Sequence, residues 1–200
     1  MIQTYDWTAP MKRPPEDLSA KLLAASSRLG GAGVDVSIDE MAKEAGVPRA
    51  TLYYYFAGKD DLVAFLFDDK VTSAATAIEK AIASEGPTSH RLEQVVHAIY
   101  TSMASQPALC LEMPTALRNP DTFGETLAHA EEALMIPLRQ LLEEGIDEGF
   151  FSIPDIGVAL VFMQGAIWQT AMVNLLEFGT LDAEALTAAT TPLLLGAFGA

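Results

Sequence analysis

Positive charge is scarce in this chain. Twelve Lys and Arg face twenty-seven Asp and Glu, for a net charge of −15, so a strongly basic shell is excluded. Cysteine occurs once, as Cys110, which excludes an intramolecular disulfide framework. His97 and His129 stand isolated at helical positions with no partner at metal-ligand spacing, so neither a metal nor a cofactor is expected. The common catalytic signatures are missing as well. Gly31-Ala32-Gly33 follows no strand and precedes no helix-opening glycine, Gly58-Lys59 lacks the remainder of a phosphate loop, and no G-x-S-x-G occurs. No stretch has the rhythm of strand and turn; helical periodicity dominates and the fold class is all-α. No signal-peptide pattern opens the chain, so a reducing cytoplasm is the expected location.

Apolar residues, by contrast, are abundant. They make up 50% of 200 residues, with a mean hydropathy of +0.22. That length allows one medium domain, or a small one and a larger one, with a substantial core. The apolar excess points to surface committed beyond a monomer core, as a dimer seam or a greasy pocket.

The most structured stretch is residues 37–59, SIDEMAKEAGVPRATLYYYFAGK. Ser37 and Glu40 have capping-box spacing, and Ile38, Met41, Ala42 and Ala45 form a helical stripe. Gly46 suits a helix C-terminus, and Pro48 suits the start of a second helix over 48–56 with Val47, Leu52 and Phe56 inward. Gly58 breaks it, and Asp60 and Asp61 open another helix where negative charge suits the dipole. Two short helices joined by a tight turn are the arrangement that places the second in a DNA major groove.

The run Ala42, Gly46, Val47, Thr51, Leu52, Tyr53, Phe56, Lys59, Leu62 resembles the signature of TetR-family transcriptional regulators, closely over residues 37–62 and loosely over 17–36. The resemblance implies an N-terminal three-helix helix-turn-helix domain and a C-terminal helical domain for ligand binding and dimerisation. It also implies roles for individual residues. Arg49 and Ala50, in the first turn of the recognition helix, would meet bases; Arg49 can donate twice to a guanine and Ala50 can touch a thymine methyl. Tyr54 would project toward bases, and Thr51, Tyr53 and Tyr55 toward phosphates. Lys59 matches a backbone-phosphate anchor, and Ser37 can offer its hydroxyl and N–H to phosphate. Pro48 stands where the family often has a hydroxyl, and Leu29 where it commonly has an aromatic. Asp39 and Glu40 lie near the DNA face, as solvated cap residues or as groups that disfavour some bases.

The divisions expected are an arm over 1–15, a reader over 16–60 and a body over 61–200. Residues 1–60 carry seven basic against eight acidic residues, while 61–200 carry five against nineteen, so the acid lies away from the reader. In the arm, Lys12 and Arg13 could reach a groove or phosphates, or belong to a disordered tail. Helix one spans 16–29 through Leu18, Leu22, Ala25 and Leu29, and Gly30, Gly31 and Gly33 dissolve it. A helix from Leu62 to about Ser84 would link reader to body, ended by Glu85-Gly86-Pro87. Body helices are expected at 88–105, 107–118, 121–149, 154–178 and 182–198, with Pro114, Pro120 and Pro137 as interruptions that could open a cavity. Gly157 to Leu176 carry no charge for twenty residues, the length of a bilayer span. Yet Gln164, Gln169 and Asn174 recur inside and no Lys or Arg flanks it, so burial between subunits is the better account.

The resemblance places a ligand cavity in the body, with candidate pocket residues His97, Tyr100, Met103, Met113, Phe123, His129, Met135, Phe162 and Met163. It places a dimeric four-helix bundle on the last two helices, with candidate interface residues Phe162, Trp168, Leu175, Leu186, Leu193 and Phe198. Few cations line this half, which disfavours a multiply anionic ligand and suits a neutral apolar or cationic one. The sequence therefore reads as a homodimeric repressor of a pseudo-palindromic operator, released by a small molecule. A DNA-binding regulator without an effector, or an enzyme with a vestigial reader, are the alternatives.

Overall fold

The computed structural model describes residues 13–29, 37–116 and 118–199, with backbone alone at 113–116 and 120. Among these described residues ten α-helices follow one another: α1 Glu16–Leu29, α2 Ile38–Ala45, α3 Arg49–Tyr55, α4 Lys59–Ile82, α5 Thr88–Ser105, α6 Pro107–Ala116, α7 Pro120–Ala130, α8 Ile136–Asp147, α9 Ile156–Phe178 and α10 Ala183–Ala197. No strand occurs among the described residues. Lys12 and Gly30 to Gly33 lie outside them.

Local chemistry sets the boundaries. Ser37 Oγ accepts the Glu40 N–H at 3.2 Å and donates to the Glu40 carboxylate at 2.8 Å, closing the capping box. At the other end of α2, Gly46 takes φ 66°, and Val47 N–H closes on the Ala42 carbonyl at 3.0 Å. This is a Schellman ending, which a residue with a Cβ adopts only at a cost. Asp155 and Asp182 cap α9 and α10 through the N–H groups of Val158 and Ala185.

The expected single helix over 121–149 is one rod with a flaw. Residues 131–135 form a π-turn between α7 and α8, where Ile136 N–H reaches back five residues to Glu131 O. Pro137 explains it: the ring has no N–H and clashes with the carbonyl four residues earlier, so the ladder shifts register instead of breaking.

Two hydrophobic cores share α4. The first joins Leu18, Leu22 and Ala25 of α1, Ile38 and Met41 of α2, Leu52 of α3 and Phe56 to Leu62, Leu66 and Phe67 of α4. Val47 is only half-buried against it. Ala108 and Leu109 of α6 and Phe123 of α7 also belong to this core, so the body reaches into the reader. The second core gathers Ile78 of α4, Leu92, Val95, Val96 and Tyr100 of α5, Leu138, Leu141 and Leu142 of α8, and Leu160, Met163 and Ile167 of α9. Phe151 packs against α8 at Gly145, where an added Cβ would come within 2.2 Å of its ring.

Candidate functional site

Helix α3 stands at the surface. Arg49, Ala50, Tyr53 and Tyr54 are exposed, with Tyr53 at 53% and Tyr54 at 63%. Thr51 and Tyr55 are half-buried, and Tyr55 leans on the first core with its ring edge-on to Tyr54 at 4.9 Å. A seven-residue helix cannot hold itself in water. It is held by Leu52 and the following Phe56, both fully buried, so its outer face is presented by the core and not by its own propensity.

Three contacts within this surface were not evident from spacing. Arg49 forms an ion pair with Asp39 of α2. Asp39 thus faces Arg49 instead of acting only as a solvated cap group. Both partners are about half exposed, so the pair contributes at most ~1 kcal/mol and yields readily to a base. Lys59 Nζ lies 2.8 Å from Glu112 Oε1 of α6, a carboxylate only 17% exposed. Asn119 Nδ2 donates to Asp60 Oδ2 at 3.1 Å. The N-terminus of α4 is therefore fastened to the body on two sides. Ser37 is also less available than expected, because its hydroxyl proton points to Glu40. Arg13 does not extend toward the reader: it pairs with Asp68 of α4 at 3.1 Å.

The second feature is a cavity of about 190 Å³ in the body. Phe67, Val71, Ala74 and Ile78 of α4 form one wall, and Met103, Leu109, Cys110, Met135, Leu138, Leu160, Met163, Ile167 and Trp168 much of the rest. Polar groups on the described lining are few: Lys70, Ser102, Gln106 and Gln164. Lys70 donates to Ser105 Oγ, and burial lowers its affinity for the proton, with the nearby Cys110 and Asp69 acting the other way. Burial pushes the Cys110 thiol up to about 11, which leaves it protonated and poorly nucleophilic.

Three expected pocket residues, Met103, Met135 and Met163, line this cavity, and Trp168, assigned above to the dimer seam, lines it too. Others do not. Tyr100 is buried in the body core, its hydroxyl 2.8 Å from Thr190 Oγ1. Phe123 packs edge-on against Phe67 in the first core. His97 sits between Thr101 and Thr187 beside a separate shallow depression, and His129 is paired with Asp68 at 2.8 Å. Phe162 points outward, 51% exposed, and the Met113 side chain lies outside the described residues. Leu175, Leu186 and Phe198 are buried within the protomer, so they are core and do not form a seam. The cause is common to all: helical spacing tells that a side chain faces inward, not which of several interiors it meets. Gln106 and Lys70 went unnoticed because polar residues at a helix end and mid-helix carry no pocket signal in sequence.

Helix α9 has two apolar faces. Ala159, Leu160, Met163, Ile167, Ala171 and Leu175 are buried, whereas Val158, Val161, Phe162, Val173 and Leu176 are exposed. Leu193 of α10 adds to the exposed set at 72%. Among the described residues α9 is the helix long and apolar enough to cross a membrane by length and composition. One of its faces is nevertheless engaged with α8, α5 and α10.

Residues 22–65 match the model of bacterial regulatory proteins of the tetR family, a span that contains α2, α3 and the turn between them. This segment of the chain is thus similar to the DNA-binding part of tetR-family regulators. Similarity to individual transcriptional regulators extends further. The HTH-type transcriptional regulator EthR of Mycolicibacterium smegmatis is 28% identical over 113 residues, which cover 55% of this chain and 52% of that protein. The match thus spans about half the length of this curated relative. Among solved structures, the fatty acid degradation regulator FadR from Bacillus halodurans superposes with a TM-score of 0.73 at 23% identity, over 92% of this chain and 97% of that one. The regulator FadR from Bacillus subtilis in complex with stearoyl-CoA gives 0.69 at 22% identity, over 88% and 97%. At these identities the structural likeness shows the all-helical fold alone.

Proposed function

We propose that the protein is a homodimeric, DNA-binding transcriptional repressor of the bacterial cytoplasm whose operator affinity is set by a neutral apolar effector in the body cavity. The observation that carries this reading is the course of α4. Its first residue, Lys59, adjoins the reading helix, its second turn packs on the reader core, and Phe67 to Ile78 form a wall of the cavity. A molecule that changes the tilt of α4 changes the separation of two recognition helices in a dimer. That separation must match one DNA turn, about 34–36 Å. Linkage then requires the effector and the operator to weaken each other by one factor.

In this reading Arg49, Ala50 and Tyr54 read bases, while Ser37 through its backbone, Thr51, Tyr53, Tyr55 and Lys59 position the phosphates. The operator is a pseudo-palindrome because the dimer has two-fold symmetry. The exposed faces of α9 and α10, with Phe162 and Leu193, pack on a second copy; such a continuous apolar strip is otherwise left to water.

The effector is neutral and apolar. No carboxylate stands on the described cavity wall to receive a cation, and burial already penalises the Lys70 charge there. The stearoyl-CoA held by the Bacillus subtilis regulator makes an acyl chain a reasonable occupant, but five basic residues among 61–200 offer little to a nucleotide phosphate head. Displacement of a fluorescent apolar probe by 1-decanol and by decanoyl-CoA tests this. Stronger displacement by the alcohol supports a neutral effector, stronger displacement by the thioester argues for an anionic one, and no binding of any apolar compound overturns the effector reading.

A further inference from the structure

Gln106 lies where the cavity and the reader meet. It ends α5 with non-helical backbone angles, φ −147° and ψ 69°, as the residue before Pro107 must. Its side chain lines the cavity, and the residue is 8% exposed. Its amide nitrogen donates to Ser26 Oγ and Ser27 Oγ of α1, each at 3.3 Å. Its carbonyl oxygen is buried with no hydrogen-bond partner among the described residues.

The orientation of the amide follows from the serines. Ser26 Oγ donates its proton to the Leu23 carbonyl at 2.9 Å, and Ser27 Oγ donates to the same carbonyl at 3.1 Å. Each hydroxyl has one proton, already committed, so toward Gln106 both can only accept. The NH2 group therefore faces α1, and a flipped amide would set oxygen against oxygen. The carbonyl is the arm left without a partner, on a residue that lines the cavity, and a buried unpaired acceptor is costly. Lys70, on the same lining, donates one of its protons to Ser105 Oγ, and no bond joins it to the Gln106 carbonyl.

We infer that Gln106 is the contact through which a cavity ligand acts on the reader: its carbonyl accepts a hydrogen bond from a hydroxyl or amide N–H carried by an otherwise apolar ligand, while its amide nitrogen holds α1. This rests on the reading above that the cavity takes an apolar effector, and it adds the polar group the effector carries and the residue that senses it. A ligand donor draws the Gln106 side chain toward the cavity and loosens or re-aims its bonds to Ser26 and Ser27. Helix α1 packs on α2, so the reading unit feels the change.

The test compares 1-decanol with its isomer 1-methoxynonane, which keeps the oxygen and loses the donor, on the full chain. Binding is measured by displacement of a fluorescent apolar probe, and amide hydrogen exchange is followed in α1. The wild type should prefer the alcohol by about tenfold, and Gln106→Met, close in shape but unable to accept from the ligand in the same way, should bind both equally. The alcohol should change exchange in α1 of the wild type only. The double variant Ser26→Ala, Ser27→Ala keeps Gln106 and should retain the preference while losing the α1 response. Equal binding of the two isomers by the wild type overturns the donor contact and leaves the effector reading standing. A preference without any α1 response overturns the coupling. Binding of neither compound overturns the effector reading and this inference with it.

Discussion

In the proposed reading Arg49 and Lys59 divide the work of recognition between them, and each is held by a carboxylate in the free protein: Arg49 by Asp39, Lys59 by Glu112. Arg49→Ala should cost on the order of 1–3 kcal/mol of operator affinity and relax the preference at one base position, as a binding-site selection would reveal. Glu112→Gln removes a competitor for Lys59 and a charge that opposes phosphate. Its affinity for DNA should rise about threefold or more regardless of sequence, measured by fluorescence anisotropy at fixed salt, since a phosphate contact contributes evenly to all sequences. A loss of affinity would mean that the Glu112 pair positions Lys59 instead of restraining it. Cys110 makes a separate statement about the cavity. With its thiol near 11, alkylation at pH 8 should run roughly a hundredfold slower than for an exposed cysteine, because so little thiolate is present.

At the scale of elements, most helices were legible because their causes are local. Ser37 with Glu40, Gly46, Gly58 and Pro87 are punctuation that works through backbone geometry, and α1, α2 and α5 run over the residues their periodicity marked. The π-turn at 131–135 was not legible. A proline inside a periodic run signals a disturbance, but whether the helix breaks or shifts register depends on what packs beside it. Pairings such as Arg49 with Asp39 and Gln106 with Ser26 also escaped, since they join residues through tertiary approach and leave no spacing pattern. The same applies to Gly145, whose role appears only once Phe151 is folded onto α8. Gly145→Ala should destabilise the chain by about 1–3 kcal/mol, seen as a lower denaturant midpoint, because ring and helix must separate.

At the scale of the whole molecule, the two cores and their shared helix decide what the protein can do. The reader is not independent of the body: α6 and α7 contribute Ala108, Leu109 and Phe123 to its core, and α4 runs through both. The sequence signature of the reader was specific because its residue types are constrained by the turn and the helix that follows. The pocket and seam were legible only as places, since an apolar residue on a helix serves any interior equally well. Leu175, Leu186 and Phe198 turned inward, whereas Phe162 and Leu193 are outward and available to a second copy. Phe162→Glu together with Leu193→Asp should convert a dimer to monomers in sedimentation velocity while leaving helical content unchanged; a wild type that sediments as a monomer would contradict the assignment.

The most direct measurement is footprinting of the purified full chain on the DNA flanking its own gene, with the wild type, Arg49→Ala and Lys59→Ala, and with 1-decanol added to the wild type. A two-fold-symmetric protected segment is expected, lost in both variants and released by the alcohol. Protection that survives both substitutions, or none at moderate salt after unfolding and refolding to strip bound molecules, would contradict a DNA-reading repressor.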